Sequence, residues 1–480
     1  MLTIPGVEIT VVKELVPRGL GAAGVLGIVG CAERSNVDDP LREVSSLSEF
    51  RELFGAGSVA SMPEVELAFS NGLKALVCAA VDPNAGLAAG ADAAFDLFDA
   101  GGATQAATLR VRARASGVWG NDLHVRLVTK GAGAAKNIDV LVYANAADAR
   151  ANKPAETFRN LSPDTTDARF FLDVVNAESG FIALPANVPP FAVGGSMSPA
   201  NANATAPASK LAGGFEPTVA EFSLALERLE SQRQVDMVIA SNRIADNITS
   251  TELASAVISH CERMSRKAAN RIGLGQIPPH GTSRPDIPAA AAMAAALTSD
   301  RFVLTAPSGY VGAVAGLLSK QSYFQSPTFK TLRGIAAPNY DFSDGDLRAL
   351  LNAGLLPIDT LPRKGVAVVK GIATSQYQIN VQRTADRAVR TVQNIAIDYV
   401  GLLNNQAQRS ALRQRIDEAF NAMTREGALV PSADGLSPPY EVEVTATNAD
   451  AAAGIVRIGI AVRPVRAIDY IYATINVRAF

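Results

Sequence analysis

The chain has little of what most chemistry requires. Its 480 residues include three cysteines, Cys31, Cys78 and Cys261, too few and too widely spaced for a disulfide framework or a metal site. That usage fits a reducing compartment or an indifferent one. The three histidines, His124, His260 and His280, have no partner at metal-ligand spacing. Charged residues make up 19% of the chain, below the usual share of about 25%. The formal net charge is −2, which implies no general attraction to nucleic acid or to an anionic membrane. No apolar run approaches the roughly 18 residues of a membrane span, and GLGAAGVLGIVGCA and PAAAAMAAAL are the longest candidates. The first residues carry Glu8, Lys13 and Glu14, so no secretory leader is expected. Neither a G-x-S-x-G elbow nor a P-loop occurs. Apolar residues, in contrast, reach 48%. With so little charge, that points to a large buried area or to surface shared between subunits.

What is present reads as layered α/β structure interrupted once. Residues 24–32, GVLGIVGCA, form a continuous apolar run, the pattern of a buried strand. In SSLSEFRELFG, Ser46 is placed to cap a helix, with Glu49 three residues on and Gly55 as the stop. A further helix and a strand at 75–81 complete a β-α-α-β opening. Around residue 85 the composition turns rich in Ala and Gly. ATLRVRARAS, DLHVRLVTK and NIDVLVYA then read as strands, the first two separated by GVWGND, where Trp119 anchors a tight turn. The low-complexity stretch PPFAVGGSMSPANANATAPASKLAGG closes this region. From 211 helices and buried strands alternate again. After 360, GVAVVKGIATS and YQINVQRTA read as strands. Two amphipathic helices follow. The stripe of 384–403 runs through Val389, Val392, Ile395 or Ala396, Tyr399 and Leu403, and that of 405–426 through Leu412, Ile416, Phe420 and Met423. The resulting division is an arm at 1–20, an α/β core at 21–90, a strand-rich insertion at 91–210, the core resumed at 211–360, an α+β domain at 361–465 and a second arm at 466–480.

The ends carry the most distinctive pattern. In IDYIYATINVRAF, Ile471, Ala473, Ile475 and Val477 fall on one side of a strand, and Tyr470, Tyr472, Thr474, Asn476 and Arg478 on the other. Near the start, Val7, Ile9 and Val11 alternate in the same way between Pro5-Gly6 and Pro17. An unpaired edge of this kind is a template for association, so each end is either stitched into its own domain or offered to a neighbour.

Candidates for chemistry are weak. Gly19, Gly21 and Gly24 in GLGAAG satisfy the G-x-G-x-x-G dinucleotide fingerprint, yet Pro17 precedes them and a strand-like run follows, the reverse of the strand-then-helix order the mechanism needs. The same glycines suit a hinge between arm and core. His260 and Cys261 are neighbours on a helix and face different directions. Asp417 and Glu418 lie among Arg413 and Arg415, a solvated or interfacial charge pattern. No catalytic group, cofactor or metal is expected.

Several segments, in consistent order along nearly the whole chain, resemble the sheath protein of contractile phage tails and related contractile injection systems. They are PGVEI near the start, GIVGCAERSNVDDPLREVSSLSEFRELFG, the ASGVWGNDLHVRL turn, LAGGFEPTVAEFSLALERLE, ISHCERMSRKA, LLNAGLLPI, INVQRTADRAVRTVQN and the closing AVRPVRAIDYIYATI. The chain departs from the family at 368–375, VVKGIATS, where many relatives carry W-G-A-R-T. The resemblance implies a sheath-protein core of α/β layers, an α/β and α+β mixture, with an inserted β-rich domain and terminal β-strand arms. It implies a structural, non-enzymatic subunit that polymerises helically around an inner tube and contracts. Its partners would be further copies of itself, the tube protein, and baseplate and terminal cap proteins, with no nucleic acid and no membrane insertion. Assembly in the bacterial cytoplasm into a phage tail or injection particle is implied as well. In that scheme Val7, Ile9, Val11, Tyr470, Ile471, Tyr472, Ile475 and Val477 pair with neighbouring copies. Gly19, Gly21 and Gly24, with the segment before 466, flex. Arg409, Arg413 and Arg415 on helix 405–426 face the tube. Two other readings of the residues remain at this point: a non-contractile lattice protein such as a capsid or surface-layer subunit, and an α/β nucleotide-binding enzyme using GLGAAG.

Overall fold

The computed structural model describes residues 24–34, 36, 39–81, 94–98, 107–130, 137–162, 166–185 and 208–469. The strand residues of both arms, together with Gly19 and Gly21, lie outside the described residues. The chain opens with β1 (Val25–Cys31), β2 (Glu43–Val44), α1 (Leu47–Phe54), α2 (Gly57–Ser61), α3 (Pro63–Ser70) and β3 (Ala75–Val81). The insertion holds β4 (Ala94–Phe98), β5 (Ala107–Ala113), β6 (His124–Lys130), β7 (Asn137–Tyr143), α4 (Ala146–Arg150), β8 (Glu156–Leu161), α5 (Phe171–Glu178), β9 (Ile182–Ala183) and β10 (Ser209–Lys210). The core resumes with α6 (Val219–Arg228), β11 (Met237–Ala240), α7 (Asn247–Arg266), β12 (Ile272–Gln276), α8 (Ile287–Ala296), β13 (Phe302–Ala306), α9 (Val311–Lys320), α10 (Asp344–Asn352), β14 (Leu356–Leu361) and β15 (Gly365–Val368). It ends with α11 (Ile379–Ile397), α12 (Gln406–Arg425), β16 (Tyr440–Thr445), α13 (Asn448–Ala452) and β17 (Arg457–Val462).

The main sheet has the order β15-β14-β13-β12-β11-β1-β3-β2. Strands β3 to β14 in that order run parallel, and the two edge strands are antiparallel. Parallel strands need crossovers, and helices supply them on both faces. One face packs on α1, α3 and α9 through Phe50, Val65, Ala68 and Val314. The other packs on α6, α7, α8 and α10 through Phe222, Val257, Met293 and Leu350. This two-sided burial explains why β1 and β3 read as unbroken apolar runs. Helix starts follow local chemistry. The Ser46 hydroxyl accepts from Glu49 N at 3.2 Å, while the Glu49 carboxylate reaches one residue further back, to Ser45 N at 2.8 Å. Thr218 and Glu221 form a capping box at α6.

The insertion folds around its own core of Val125, Val140, Val142, Phe171 and Ile182. Its strands form sheets ordered β10-β6-β7-β8 and β4-β5-β9. Trp119 is buried in the 3-10 turn Val118–Asp122, its Nε1 donating to Ser116 O at 3.0 Å.

Three expectations change in the last third. β15 pairs with β14 in the main sheet, so the core runs past residue 361. The strand expected over YQINVQRTA is the first half of α11. Its alternation is produced by Asn380, Gln382 and Arg383, polar residues that are buried rather than solvent-facing. α11 also ends at Ile397, which leaves Leu403 outside the helical stripe and 78% exposed. The first half of α11 lies in the core, where Ile379 joins the main apolar cluster. The second half gives Ala388 and Val392 to a separate cluster with Leu412, Ile416, Phe420 and Val442.

α3 and α9 approach unusually closely. A Cβ on Gly312 would lie 2.2 Å from Glu64 O, and one on Gly316 would lie 2.1 Å from Ala68 O. Both obstacles are backbone atoms of a buried helix, which cannot swing aside. Gly312→Ala and Gly316→Ala are each expected to destabilise the chain by about 3 kcal/mol, read as a lower urea midpoint at high dilution. An unchanged midpoint would mean that the helices can separate freely.

Candidate functional site

Nothing in the described residues gathers into a reaction centre. No cluster of three or more His, Cys, Asp or Glu residues with metal-holding geometry occurs among them. Burial raises all three thiols, Cys78 and Cys261 to about 12, with Cys31 raised further by Glu216 and Glu221. Such thiols are inert. His280 is engaged on both ring nitrogens, Nδ1 with Ser283 O at 2.9 Å and Nε2 accepting from Ser308 N at 3.3 Å. His124 Nδ1 meets Asp122 O at 2.9 Å. His260 is fully buried, and its Nε2 lies 2.6 Å from Arg271 Nη1. Arg271 spends its other end on the carbonyls of Leu229 and Gln232, tying α7 to the end of α6.

In doubly wound sheets, ligands bind beyond the carboxyl ends of the strands, where the strand order reverses. Here that place lies between β1 and β11, and it is filled. Ser241 donates to Glu64 at 2.6 Å, and Arg114 of the insertion donates to Glu33 Oε1 at 3.0 Å. Glu33 Oε2 also accepts from Gly57 N at 2.8 Å. Gly24, the only glycine of the fingerprint among the described residues, sits at the opposite, amino end of β1, away from the crevice.

The surface suited to assembly is at the other end of the chain. β16 and β17 form a two-stranded antiparallel sheet, with Val442 opposite Ile460. One face, with Tyr440, Val442, Ile458 and Val462, packs on α12 through Phe420. The other face, with Glu441, Glu443, Gly459 and Ala461, is exposed. A sheet of two strands is marginal alone, and both of its edges lack a strand partner among the described residues.

α12 places the three arginines apart. Arg409 and Arg413 are one helical turn apart on one side, and Arg415 lies two residues beyond Arg413, about 200° around the axis. Arg409 donates to Asn404 Oδ1 at 2.7 Å. Arg415 donates to Asp398 Oδ2 at 3.2 Å and stacks over Tyr399. These two therefore brace the loop between α11 and α12. Arg413 pairs with Asp417 at 3.7 Å on an exposed face. The braced loop presents Val400, Leu402 and Leu403 to solvent, an apolar tip that the charge pattern did not reveal.

Both terminal segments are rooted firmly. Gly24 N donates to Asp236 Oδ2 at 3.0 Å, and Gly24 O accepts from Ser319 Oγ at 2.6 Å, so Gly24 is fixed in the core rather than part of a free hinge. At the other end, Val465 N donates to Ala428 O at 2.9 Å, and Asn380 Nδ2 donates to Val465 O at 3.1 Å. Gln378 accepts from Ala467 N at 2.9 Å and donates to Asp469 Oδ2 at 2.8 Å. The segment before 466, expected to flex, is thus tied down along its length.

Between these roots lies a buried ionic cluster at the amino edge of the sheet. Arg301 donates to both oxygens of Asp386, at 3.0 and 2.8 Å. Arg390 Nη2 donates to Val235 O and Asn270 O. Asp236 faces the charges of Arg383 and Arg390, whose pull opposes the upward push of burial on its carboxyl.

Residues 216–374 match the family model of the phage tail sheath protein central domain. That family is one of structural proteins. No curated protein matches the chain by sequence. Among solved structures, the fold resembles the anti-feeding prophage (AFP) helical sheath in its contracted state, at 12% identity over 99% of each chain with a TM-score of 0.54. It also resembles the contracted PVC sheath complex of an extracellular contractile injection system, at 11% identity over 99% of this chain and 98% of that one, TM-score 0.52. A chain of the AFP baseplate structure matches at 12% identity over 100% of both chains, TM-score 0.52. The mixed α/β fold of these structures is the fold of this chain.

His260 gives a pH signature. Burial, then the charges of Arg271 and Arg263, bring it down to about 3, against about 6.5 when unfolded. Its folded value is depressed, so the unfolded chain binds the extra proton. The contribution is complete above about pH 6.5 and is lost as pH falls toward 3, by up to about 1.4 kcal/mol per pH unit. His260→Gln keeps an acceptor for Arg271 and removes the titration. The urea midpoint of the variant should fall less steeply than the parent's between pH 6.5 and 4.5, and parallel curves would contradict this.

Proposed function

We propose that this chain is the structural subunit of a contractile sheath, polymerising helically around an inner tube and shortening to drive that tube through a target envelope. The observation that carries this reading is end-to-end likeness to contracted sheath chains, together with the sheath-domain match over 216–374. The inner tube, baseplate and terminal cap are its partners, and assembly takes place in the bacterial cytoplasm as part of a phage tail or injection particle. The extended sheath is metastable. On triggering at the baseplate, subunits rotate and move outward as rigid bodies, driven by new contacts between cores and not by a hydrolytic cycle.

Copies are linked by strand exchange. The edges of the β16–β17 sheet, which have no strand partner among the described residues, accept the strands at 7–11 and 470–478 of neighbouring copies, a case of β-augmentation. Ile471, Ala473, Ile475 and Val477 would extend the apolar face that already rests on α12, and Arg478 would fall on the face that carries Glu441 and Glu443. The contact is head-to-tail and does not close on itself, so it propagates as a filament. On α12, Arg409 and Arg413 form the side offered to the tube. Arg409 also braces the loop through Asn404, whereas Arg415, turned toward Asp398 on the other side of the helix, serves the loop alone.

The chain expressed alone should form tubes visible by negative-stain microscopy, and a monodisperse monomer at all concentrations would overturn the reading. Ile475→Asp places a charge on the buried face of the exchanged strand and should cut the sedimenting polymer at least tenfold (an order-of-magnitude expectation). Asn476→Asp, on the opposite face, should leave it within about twofold. Equal effects of the two would argue against a paired strand with a buried face. Arg413→Glu combined with Arg409→Glu should weaken co-sedimentation with the inner tube, and more so at low salt, since an exposed pairing is screened.

A further inference from the structure

Gln378 begins a helix without a side-chain cap, as Ala56, Met62, Phe170 and Tyr310 do at α2, α3, α5 and α9, but its own side chain is fully engaged elsewhere. The α1, α6, α7, α10 and α12 starts carry Ser46, Thr218, Asp246, Ser343 and Asn405, each with a side-chain oxygen bonded to the first turn. α11 is among the longest helices in the described residues, yet its N-cap is Gln378, which makes no capping bond. Glutamine is a poor cap, so this position forgoes stability that a serine or asparagine would provide. Its side chain turns instead to the outgoing chain. Oε1 accepts from Ala467 N at 2.9 Å, and Nε2 donates to Ala467 O at 3.1 Å. The amide thus pairs with one residue's N–H and C=O, as a neighbouring strand would. Nε2 also reaches Asp469 Oδ2 at 2.8 Å, and Lys370 Nζ lies 3.6 Å from the same oxygen.

Other residues of α11 point to the same task. Two residues on, Asn380 holds Val465 O. Further along, Arg383 and Arg390 bring their charges to Asp236, the residue that holds Gly24 N. Just before the residues that Gln378 holds, 463–465 leave β17 and pair with 428–430, including an antiparallel bridge between Leu429 and Pro464, while Arg463 N still donates to Pro439 O. The path is therefore set from Val462 to Asp469, and everything beyond starts from a fixed point.

We infer that Gln378 is a positioning residue: with Asn380 it fixes where and in what direction the segment after Asp469 leaves the subunit, so that this segment meets the hairpin of a second copy. This rests on the sheath reading. A strand tethered to a fixed root has a higher effective concentration at a site of matching span than one on a slack seven-residue link. Because α11 also faces Asp236, the incoming and outgoing segments are referred to one helix and keep a constant separation when the subunit turns.

The test is Gln378→Ser in the full chain. Serine is the better N-cap, so a residue with only a structural role in α11 would leave the thermal midpoint unchanged or raised, with polymerisation intact. The expected result is an unchanged or raised midpoint, amide exchange at 463–469 faster by at least tenfold at high dilution, and a sedimenting polymer yield reduced by at least tenfold. Gln378→Glu, which keeps the shape and the acceptor but loses the donor and faces Asp469 with a like charge, should show the same two losses. Wild-type protection at 463–469 in both variants overturns the inference. So does polymerisation of both variants at the wild-type level. A wild-type chain that makes no polymer overturns the sheath reading itself, which separates the two failures.

Discussion

Where α11 crosses the amino edge of the main sheet, Arg301 forks onto Asp386, Asn270 and Gln382 bond the same carboxylate, and Arg390 reaches the backbone ahead of β11 and β12. These groups are out of water. Separating α11 from the sheet would strand charges in a medium that solvates them poorly, at about 3–5 kcal/mol for one broken buried pair. The same helix then continues into the second apolar cluster with α12 and the hairpin. The core and the C-terminal part are thereby held as one body by a helix with half its length in each. The expected border at 361 has no physical counterpart, because β14 and β15 form a continuous antiparallel pair across it.

A doubly wound sheet ordinarily keeps its reversal point open for a ligand. In this chain the insertion leaves after β3 and returns before α6, which brings Arg114 onto Glu33 beside the carboxyl end of β1. Val118 N donates to Glu216 at 3.2 Å in the same region, and burial raises that carboxyl's pKa. The insertion thus docks where a nucleotide would sit. Gly24, the one glycine of the fingerprint among the described residues, lies at the far end of β1 and is followed by a strand, so the described residues supply neither a cradle nor a phosphate-facing helix start there.

The sequence made the layered core legible because two-sided burial writes continuous apolar runs, as in β1 and β3, and because caps such as Ser46 and Thr218 are local chemistry. It hid features whose cause is tertiary. Alternation at 379–383 imitates a strand because buried polar residues serve the cluster and the outgoing chain. The stripe through Tyr399 and Leu403 continues a helical period that the backbone abandons at Ile397. The α3–α9 contact depends on Gly312 and Gly316, four apart in an Ala-rich run that looks unremarkable until a second helix lies across it. The three arginines of α12 share a sign and a segment but not a face, and side-chain direction decides which of them meets a partner.

Little charge over the whole chain and directional polar contacts at Gly24 and at 463–469 are two sides of one arrangement. In the filament proposed above, copies joined by exchanged strands would carry displacement from one copy to the next through those strands. A joint that stretched would absorb the motion locally. Main-chain ladders resist sliding, since a one-residue slip exposes the apolar face, but a ladder transmits only what its root can hold. At Gly24 the root is a buried carboxylate facing two guanidinium groups, and at 463–469 it is a run of backbone and amide bonds ending at Asp469. Apolar packing alone would leave both roots free to shift along a greasy surface at little cost, because the hydrophobic effect has no direction. Hydrogen bonds and buried charges do have direction. That is a physical reason for a chain sparing of charge overall to place buried arginine and aspartate beside Gly24, and side-chain amides with Asp469 at 465–469.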